Sequence, residues 1–324
     1  MKAMVCEAFG GPEVLALRDV PDPPSPGPGE ITVRIRARGV QYVDVLMLAG
    51  KYQFRPEPPF IPGGEAAGEV VAVGPAVTAF KPGDRVMSRH TLGAFAELGN
   101  AKAELCDSVP DGMSLDAAGV FRAAYATAYH ALLQRGRLQA GDWVLVHGAA
   151  GGIGIAAIQV AKLFGGKVIA TASTDVKRAA CLEEGADHAI GYAGGFVDAV
   201  KDLTGGHGAD IVYDPIGAQV TEESLRCLAW CGRLLILGFL GGGPANIRSN
   251  YLLIKGIDAV GVRIGGLNEA APELAIANMR ELTRLAAAGK VRSRISHRFP
   301  LTQAAEALQA VIDRKVIGKA VLVS

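Results

Sequence analysis

Trp143-Val-Leu-Val-His-Gly-Ala-Ala-Gly-Gly-Ile-Gly154 reads as a buried strand, a glycine-rich turn and the first residues of a helix. That order decides the fold class. The first N–H groups of a helix entered in this way have no partner within it, and the positive end of the helix dipole lies behind them, so a pyrophosphate fits there. Gly151 and Gly152 let the backbone approach the phosphates, Ala150 and Ile153 lie beside them as further candidate cofactor contacts, and Gly154 allows the helix to pack closely on the strand. Ala149 stands where the G-x-G-x-x-G pattern has its first glycine. The alternative is a tight turn that binds nothing; the place of this one at the head of a βαβ unit favours a dinucleotide.

Outward from that turn, positions 123 to about 262 alternate short apolar runs with helical stretches. Residues 168–172, 211–213 and 234–237 read as strands, and 153–164, 176–184 and 222–229 as helices. The alternation implies a doubly wound parallel sheet with right-handed crossovers. Cofactor choice falls at the end of its second strand. An NAD enzyme places Asp or Glu there, about 20 residues after the turn, for the ribose hydroxyls. Here the chain reads Ala172-Ser173-Thr174, which leaves room for a 2′-phosphate, and Lys177 and Arg178 follow within one helical turn. This points to NADPH. Asp175, close to the expected spacing, reads as a first-turn acid favoured by the dipole. A solvated helix face is the competing reading for Lys177 and Arg178, so the missing strand-end acid carries the argument.

The flanks have a different texture. Ile31-Thr-Val-Arg-Ile-Arg36 alternates apolar and polar residues, as a half-buried strand does. Pro21-Asp-Pro-Pro-Ser-Pro-Gly-Pro-Gly29 has too many prolines for a helix or a central strand. Residues 68–74 and 85–87 read as strands around the turn Lys81-Pro-Gly-Asp84, and a helix over 272–288 leads to a β-like tail ending Lys319-Ala-Val-Leu-Val323. A chain of 324 residues exceeds one simple core, so two domains are expected. The 33 Lys and Arg nearly balance the 32 Asp and Glu, leaving no basic excess for a nucleic-acid backbone. Five scattered cysteines suit free thiols in the cytoplasm better than a disulfide framework. Glu7 interrupts any signal-peptide core, and no run of about 18 apolar residues suggests a membrane span.

Six motifs follow one another along the chain: Phe9-Gly-Gly-Pro-Glu-Val-Leu15, Gly63-Gly-Glu-Ala-Ala-Gly-Glu-Val-Val-Ala-Val-Gly74, Lys81-Pro-Gly-Asp-Arg-Val86, the turn from His147 to Gly154, Leu182-Glu-Glu-Gly-Ala-Asp-His188 and Val316-Ile-Gly-Lys-Ala-Val321. On these, over essentially its whole length, the chain resembles the zinc-independent quinone oxidoreductases, zeta-crystallin type, of the medium-chain dehydrogenase/reductase superfamily. The resemblance implies an α/β fold in which a Rossmann NADPH-binding domain, residues 123–262, is inserted into a GroES-like, mostly β catalytic domain made of 1–122 and 263–324. Cofactor and substrate would share the cleft between them. Metal chemistry separates this family from the zinc alcohol dehydrogenases. Where those carry a Cys ligand the chain reads Gly39-Val-Gln-Tyr-Val-Asp44, where they carry Gly-His-Glu it reads Gly63-Gly-Glu65, and Cys106 stands alone in place of a cysteine-rich lobe. Glu65 and His90 are possible ligands in isolation, but scattered donors more often serve hydrogen bonding. No metal is expected.

Without a Lewis acid, polarisation falls to hydrogen-bond donors placed where negative charge develops, which suits quinones and α,β-unsaturated carbonyls better than alcohols. The implied reaction is hydride transfer from NADPH to such an acceptor, with protonation by a donor or water. By the resemblance, Tyr52 aligns with a tyrosine that donates the proton in related enoyl reductases, and Tyr42 sits against the nicotinamide as a catalytic and cofactor-binding candidate. Aromatic packing is the competing reading for both. Thr127, Ser173, Lys177, Tyr192, Gly217, Phe239 and Gly241 fall at the family's cofactor positions, with Lys177 and Tyr192 flanking the 2′-phosphate; for the glycine-rich loops a purely steric role is the alternative. Gln41 stands where the family usually has Asn. Arg263 either attracts an acidic substrate group or bridges the domains. Enoyl thioester or alkenal reduction is the alternative chemistry, and a non-catalytic NADPH-binding or structural protein the alternative class. The resemblance further implies a cytoplasmic homodimer paired along a sheet edge near 234–240.

Overall fold

A computed structural model describes residues 1–324. The chain forms two compact units, Met1–Ala123 with Met279–Ser324, and Ala124–Asn278. The first contains β1 (Lys2–Cys6), β2 (Leu15–Asp19), β3 (Glu30–Val40), β4 (Glu65–Val73), β5 (Arg85–Arg89), β6 (Leu98–Lys102) and β7 (Cys106–Ser108). From the C-terminal tail it adds β14 (Ile295–Pro300) and β15 (Lys319–Val323). One sheet runs in the order β14-β15-β3-β4-β5-β7, with β6 also on β3, and β1 and β2 form a separate antiparallel ribbon. Ile31, Val33 and Ile35 of β3 point into a core with Ala66, Val70 and Val86, while Arg34 is exposed. The alternation stops at Ala37, and Ala37–Val40 are all buried. Arg38 is among them. Its guanidinium donates to the carbonyls of Ala96, 2.7 Å, and Ile35, 3.1 Å, and to Ser324 Oγ, 2.6 Å; burial holds its pKa down to about 10.

The second unit holds six parallel strands, β8 (Trp143–Val146), β9 (Lys167–Thr171), β10 (His188–Ile190), β11 (Ala209–Asp214), β12 (Leu228–Ile236) and β13 (Asp258–Gly261), in the order β10-β9-β8-β11-β12-β13. Val144, Leu145 and Val146 have no solvent-exposed surface, as expected of a parallel strand covered on both faces. The helices, in chain order, are α1 (Tyr42–Leu48), α2 (Leu115–Ala118), α3 (Arg122–Tyr129), α4 (Gly152–Leu163), α5 (Asp175–Glu183), α6 (Val197–Leu203), α7 (Ala218–Cys227), α8 (Ser249–Lys255), α9 (Ile264–Ala270), α10 (Pro272–Ala287) and α11 (Ala304–Ile312). No helix is long and apolar enough to cross a membrane.

The structure differs from the sequence reading at three places. The helix read over 222–229 ends at Cys227, because Leu228 already pairs with Ala209 of β11. The sheet edge is not near 234–240: Leu234–Ile236 lie between β11 and β13, and the two edge strands are β13 and β10. The second unit continues to Asn278, beyond the return at 263 read from the sequence, and α10 passes through that boundary without a break.

Candidate functional site

At the carboxyl end of β8 the chain enters the glycine-rich turn. Gly148 has φ +56, and its carbonyl accepts the Gly151 N–H at 3.0 Å, which closes the turn. Gly151 is the N-cap of α4 and has no side chain to cap it, so the amides opening this 12-residue helix face outward without a side-chain acceptor. Gly154 has a different reason to be glycine. A Cβ there would lie 2.6 Å from the Cα and the carbonyl oxygen of Ala149, backbone that cannot give way. Gly154→Ala must therefore push α4 off the turn. It is expected to weaken dinucleotide binding by about 5- to 150-fold, the equivalent of 1–3 kcal/mol of overpacking, measurable by fluorescence titration.

The end of β9 carries the feature on which cofactor choice turns. Ala172 is buried, Ser173 is exposed, and Thr174 is the N-cap of α5, its hydroxyl accepting the Lys177 N–H at 3.3 Å. Asp175 is the first residue of that helix. Its carboxylate pairs with the Arg178 guanidinium, which also donates to the Ala172 carbonyl at 3.1 Å. The strand end thus presents a guanidinium anchored on backbone, and its nearest acid is already paired. Lys177 is half-buried on the same helix turn.

Ala150–Ile153, Ser173, Tyr192, Gly217 and the loop containing Phe239 and Gly241 follow the carboxyl ends of β8, β9, β10, β11 and β12. The connections from β8 and β11 lead to opposite sides of the sheet, so this rim includes the switch point where open α/β sheets bind ligands. Gly217, at φ +80, and Gly241 have steric roles. A Cβ on Gly217 would lie 2.5 Å from the Gly243 carbonyl, and one on Gly241 3.0 Å from that of Ile216. Phe239 is 51% exposed. The buried Asp214 carboxylate shapes the β11 turn by accepting the N–H groups of Ile216, 2.7 Å, and Gly217, 3.1 Å. Tyr192 directs its hydroxyl beneath the glycine-rich turn, where it accepts the Gly148 N–H at 3.0 Å. Thr127 is half-buried on α3 of this unit. Arg263, the N-cap of α9, pairs with Glu269 of that helix at 2.6 Å.

Tyr42 and Tyr52 belong to the first unit. Tyr42 opens α1 and is 37% exposed; Tyr52 follows in a loop, half-buried, its hydroxyl accepting from Gln53 Nε2 at 3.4 Å. Gln41 is the N-cap of α1, and its N–H donates to the Asp44 carboxylate at 2.8 Å. Asp44 is buried, and desolvation raises its pKa to about 7 against the opposing pull of the Gln41 N–H and the Lys319 ammonium. Glu65, also buried, accepts from Lys319 Nζ at 3.0 Å and from the Ala123 N–H at 2.9 Å. Gly39 makes room for it, since a Cβ there would collide with the Glu65 carboxylate. His90 Nε2 is bonded to Ser88 Oγ at 2.8 Å. The two isolated metal-ligand candidates of the sequence therefore have protein partners. Lys319, the partner of Glu65, was missed because no local pattern links positions so far apart.

His147, at the foot of the glycine-rich turn, was also missed as a functional side chain. It is fully buried, Nδ1 lying 2.9 Å from Thr171 Oγ1 and Nε2 2.8 Å from Ser224 Oγ, and burial holds its pKa down to about 4 although Asp214 opposes this. A histidine neutral in the fold and protonated when unfolded makes stability fall as pH drops from about 6.5 towards 4, by up to about 1.4 kcal/mol per pH unit. In the first unit His90, also lowered to about 4 by burial, pulls the same way, but Asp44, raised to about 7, pulls against it. The acid sensitivity is therefore expected in the second unit. Both tryptophans, Trp143 and Trp230, lie there. Urea unfolding followed by tryptophan fluorescence should show this slope between pH 6.5 and 4.5, and His147→Gln should flatten it.

Comparison with known proteins agrees with this architecture. The family model for the alcohol dehydrogenase GroES-like domain matches residues 27–135, and that for zinc-binding dehydrogenases matches residues 152–281. A quinone oxidoreductase from Pseudomonas aeruginosa is 37% identical over 97% of this chain and 97% of its own. Quinone oxidoreductase-like protein 2 from Mus musculus is 36% identical over 99% of this chain and 91% of its own. The crystal structure of Escherichia coli quinone oxidoreductase complexed with NADPH superposes with a TM-score of 0.93 at 30% identity, covering 100% of both chains.

Proposed function

The chain belongs to the quinone oxidoreductases of the medium-chain dehydrogenase/reductase superfamily, and from that premise we propose that it is an NADPH-dependent reductase of quinones or related activated enones that works without zinc. The observation that carries the cofactor reading is the end of β9, where Ala172 and Ser173 replace a ribose-binding acid, and Asp175 is neutralised by an Arg178 anchored on the strand. The fit of the dinucleotide rests on the turn. Its amides open a helix with no side-chain cap, and Gly151 keeps the approach clear, since a Cβ there would meet only the Gly148 carbonyl at 3.3 Å. Ala150–Ile153 would hold the pyrophosphate, and Ser173, Lys177 and Arg178 the adenosine phosphate. When bound, the nicotinamide supplies the hydride.

Support for the metal-free reading comes from donors already engaged. Glu65 is charge-paired with Lys319 and His90 is bonded to Ser88, and no three His, Cys, Asp or Glu side chains converge as a ligand set. In this account Tyr52 delivers the proton to the oxyanion or enolate left by hydride addition, and Tyr42 flanks the reacting ring. The first unit acts as the GroES-like catalytic domain and the second as the Rossmann domain, in a cytoplasmic protein. A homodimer is proposed along β13, the edge strand next to β12. Trp230, Leu253 and Ile254 are 71%, 83% and 66% exposed on neighbouring β12 and α8, apolar surface that a second copy would cover. Light scattering should give twice the chain mass, and a monomer would refute the dimer. For the reaction, NADPH is offered with quinones, alkenals and a crotonyl thioester in parallel. Fastest turnover with quinones or simple enones supports the proposal. A dominant thioester rate reassigns the substrate, and tight NADPH binding with no turnover on any acceptor removes the catalytic claim.

A further inference from the structure

From the glycine-rich turn to α7 runs a chain of hydroxyls and one imidazole, each within hydrogen-bond distance of the next, whose hydrogens can be placed in one consistent direction. The Ser224 hydroxyl donates to the Val220 carbonyl at 2.6 Å. Toward His147 it is therefore an acceptor, and Nε2 carries the imidazole proton, 2.8 Å away. Nδ1 of the neutral ring is then an acceptor, filled by the Thr171 hydroxyl at 2.9 Å. Donation from Thr171 to the Val146 carbonyl, 3.1 Å away, would leave Nδ1 with no donor. With the threonine hydrogen committed, the 2.9 Å contact between Thr171 Oγ1 and the Tyr192 hydroxyl is a donation by the tyrosine, whose oxygen accepts the Gly148 N–H at 3.0 Å. Each hydroxyl in the chain both donates and accepts. Thr171, His147 and Ser224 are shut off from water, the Tyr192 ring stacks on the imidazole with centroids 5.9 Å apart, and Phe196 meets the imidazole edge-on at 4.8 Å.

The end of this chain falls where it governs the turn. Gly148 is held by its N–H on Tyr192, and its carbonyl accepts the Gly151 N–H at 3.0 Å, so fixing one residue fixes the geometry of the next three. We propose that Tyr192, Thr171 and His147 are positioning residues forming a hydrogen-bonded relay that presets the phosphate-binding turn through the Gly148 N–H. On this account Tyr192 serves the pyrophosphate end common to NADPH and NADH rather than the 2′-phosphate. The inference rests on the dinucleotide reading of the turn and goes beyond it, because it assigns a role to side chains that need not touch the ligand. A complete buried network of this kind is worth more than its separate bonds, and its members are coupled.

The test titrates NADPH and NADH into the wild-type protein and into Thr171→Val, Thr171→Ser, Tyr192→Phe and the Thr171→Val/Tyr192→Phe double variant. Amide hydrogen exchange of the peptide containing Gly148–Gly151 is followed in the same proteins without ligand. The relay predicts that Thr171→Val and Tyr192→Phe each weaken both dinucleotides by the same factor, about 3- to 10-fold. It also predicts faster exchange at the turn in both, recovery in Thr171→Ser, and a double variant little worse than either single one. Weakening of NADPH alone in Tyr192→Phe, with Thr171→Val unaffected, would make Tyr192 a 2′-phosphate ligand and overturn the relay. A wild-type protein that binds neither dinucleotide would overturn the cofactor reading instead, and the exchange rates would still decide whether the relay holds the turn.

Discussion

Replacing Lys319 by methionine is expected to lower the unfolding free energy of the first unit by about 3–5 kcal/mol at pH 8. Its ammonium sits against the Glu65 carboxylate in a pair whose side chains are 11% and 3% exposed, so removing the cation leaves a buried charge that the Ala123 N–H and the electrostatic pull of Arg122 compensate only in part. The same ammonium also opposes the upward shift of Asp44, so its loss drives that carboxyl further towards its neutral form. A carboxyl raised in the fold stabilises at low pH and ceases to do so as pH rises through its folded value. The defect should therefore be smaller at pH 5 than at pH 8. Glu65→Gln on the Lys319→Met background removes the stranded charge and keeps an acceptor for Ala123, and it should recover most of the loss. Hydrogen exchange of β4 peptides in mild urea measures this unit directly. An unchanged exchange rate in Lys319→Met would mean that the pair contributes nothing to the fold.

Tyr52→Phe is expected to lower the turnover of an enone by about 10²–10⁴-fold, the loss that follows removal of a positioned proton donor. The structure makes this substitution informative because the hydroxyl is tied so loosely to the fold. Its hydrogen bond comes from the neighbouring Gln53 at 3.4 Å, and the ring is half-buried in a loop. Losing that oxygen should leave thermal stability and NADPH affinity near their wild-type values, which separates a chemical role from a packing role. Unchanged turnover would remove Tyr52 from the mechanism and leave water as the proton source. The same substitution at Tyr42 is the natural comparison, since that ring opens α1 at the surface.

The parallel sheet was legible because its strands are short apolar runs closed off by turn residues. Val144–Val146 and Val168–Ala170 are wholly buried, and only a sheet covered on both faces uses such sequences. The glycine-rich turn was legible because its chemistry is local: strand, turn and helix follow one another within a dozen residues. Asp175 was legible as a first-turn acid for the same reason, its partner Arg178 being one helical turn away. What escaped lies in contacts that no window contains. Lys319 and Glu65 are 254 positions apart, and His147 meets Thr171 and Ser224 at separations of 24 and 77. The sheet edge near 234–240 is an implication of the resemblance, and no local pattern in the chain says which neighbours a strand has. Arg38 ran against the pattern outright, a charge inside β3 that is tolerated because carbonyls and a serine hydroxyl take up its donors.

The account stands most directly on one measurement. Protein freed of metal by chelation is mixed with a quinone, and the loss of NADPH or NADH absorbance is followed at equal concentrations. The account predicts steady oxidation of NADPH, one equivalent per quinone reduced to quinol, with a strong preference over NADH and no gain from added zinc. Faster consumption of NADH, or activity that appears only when zinc is restored, would contradict it.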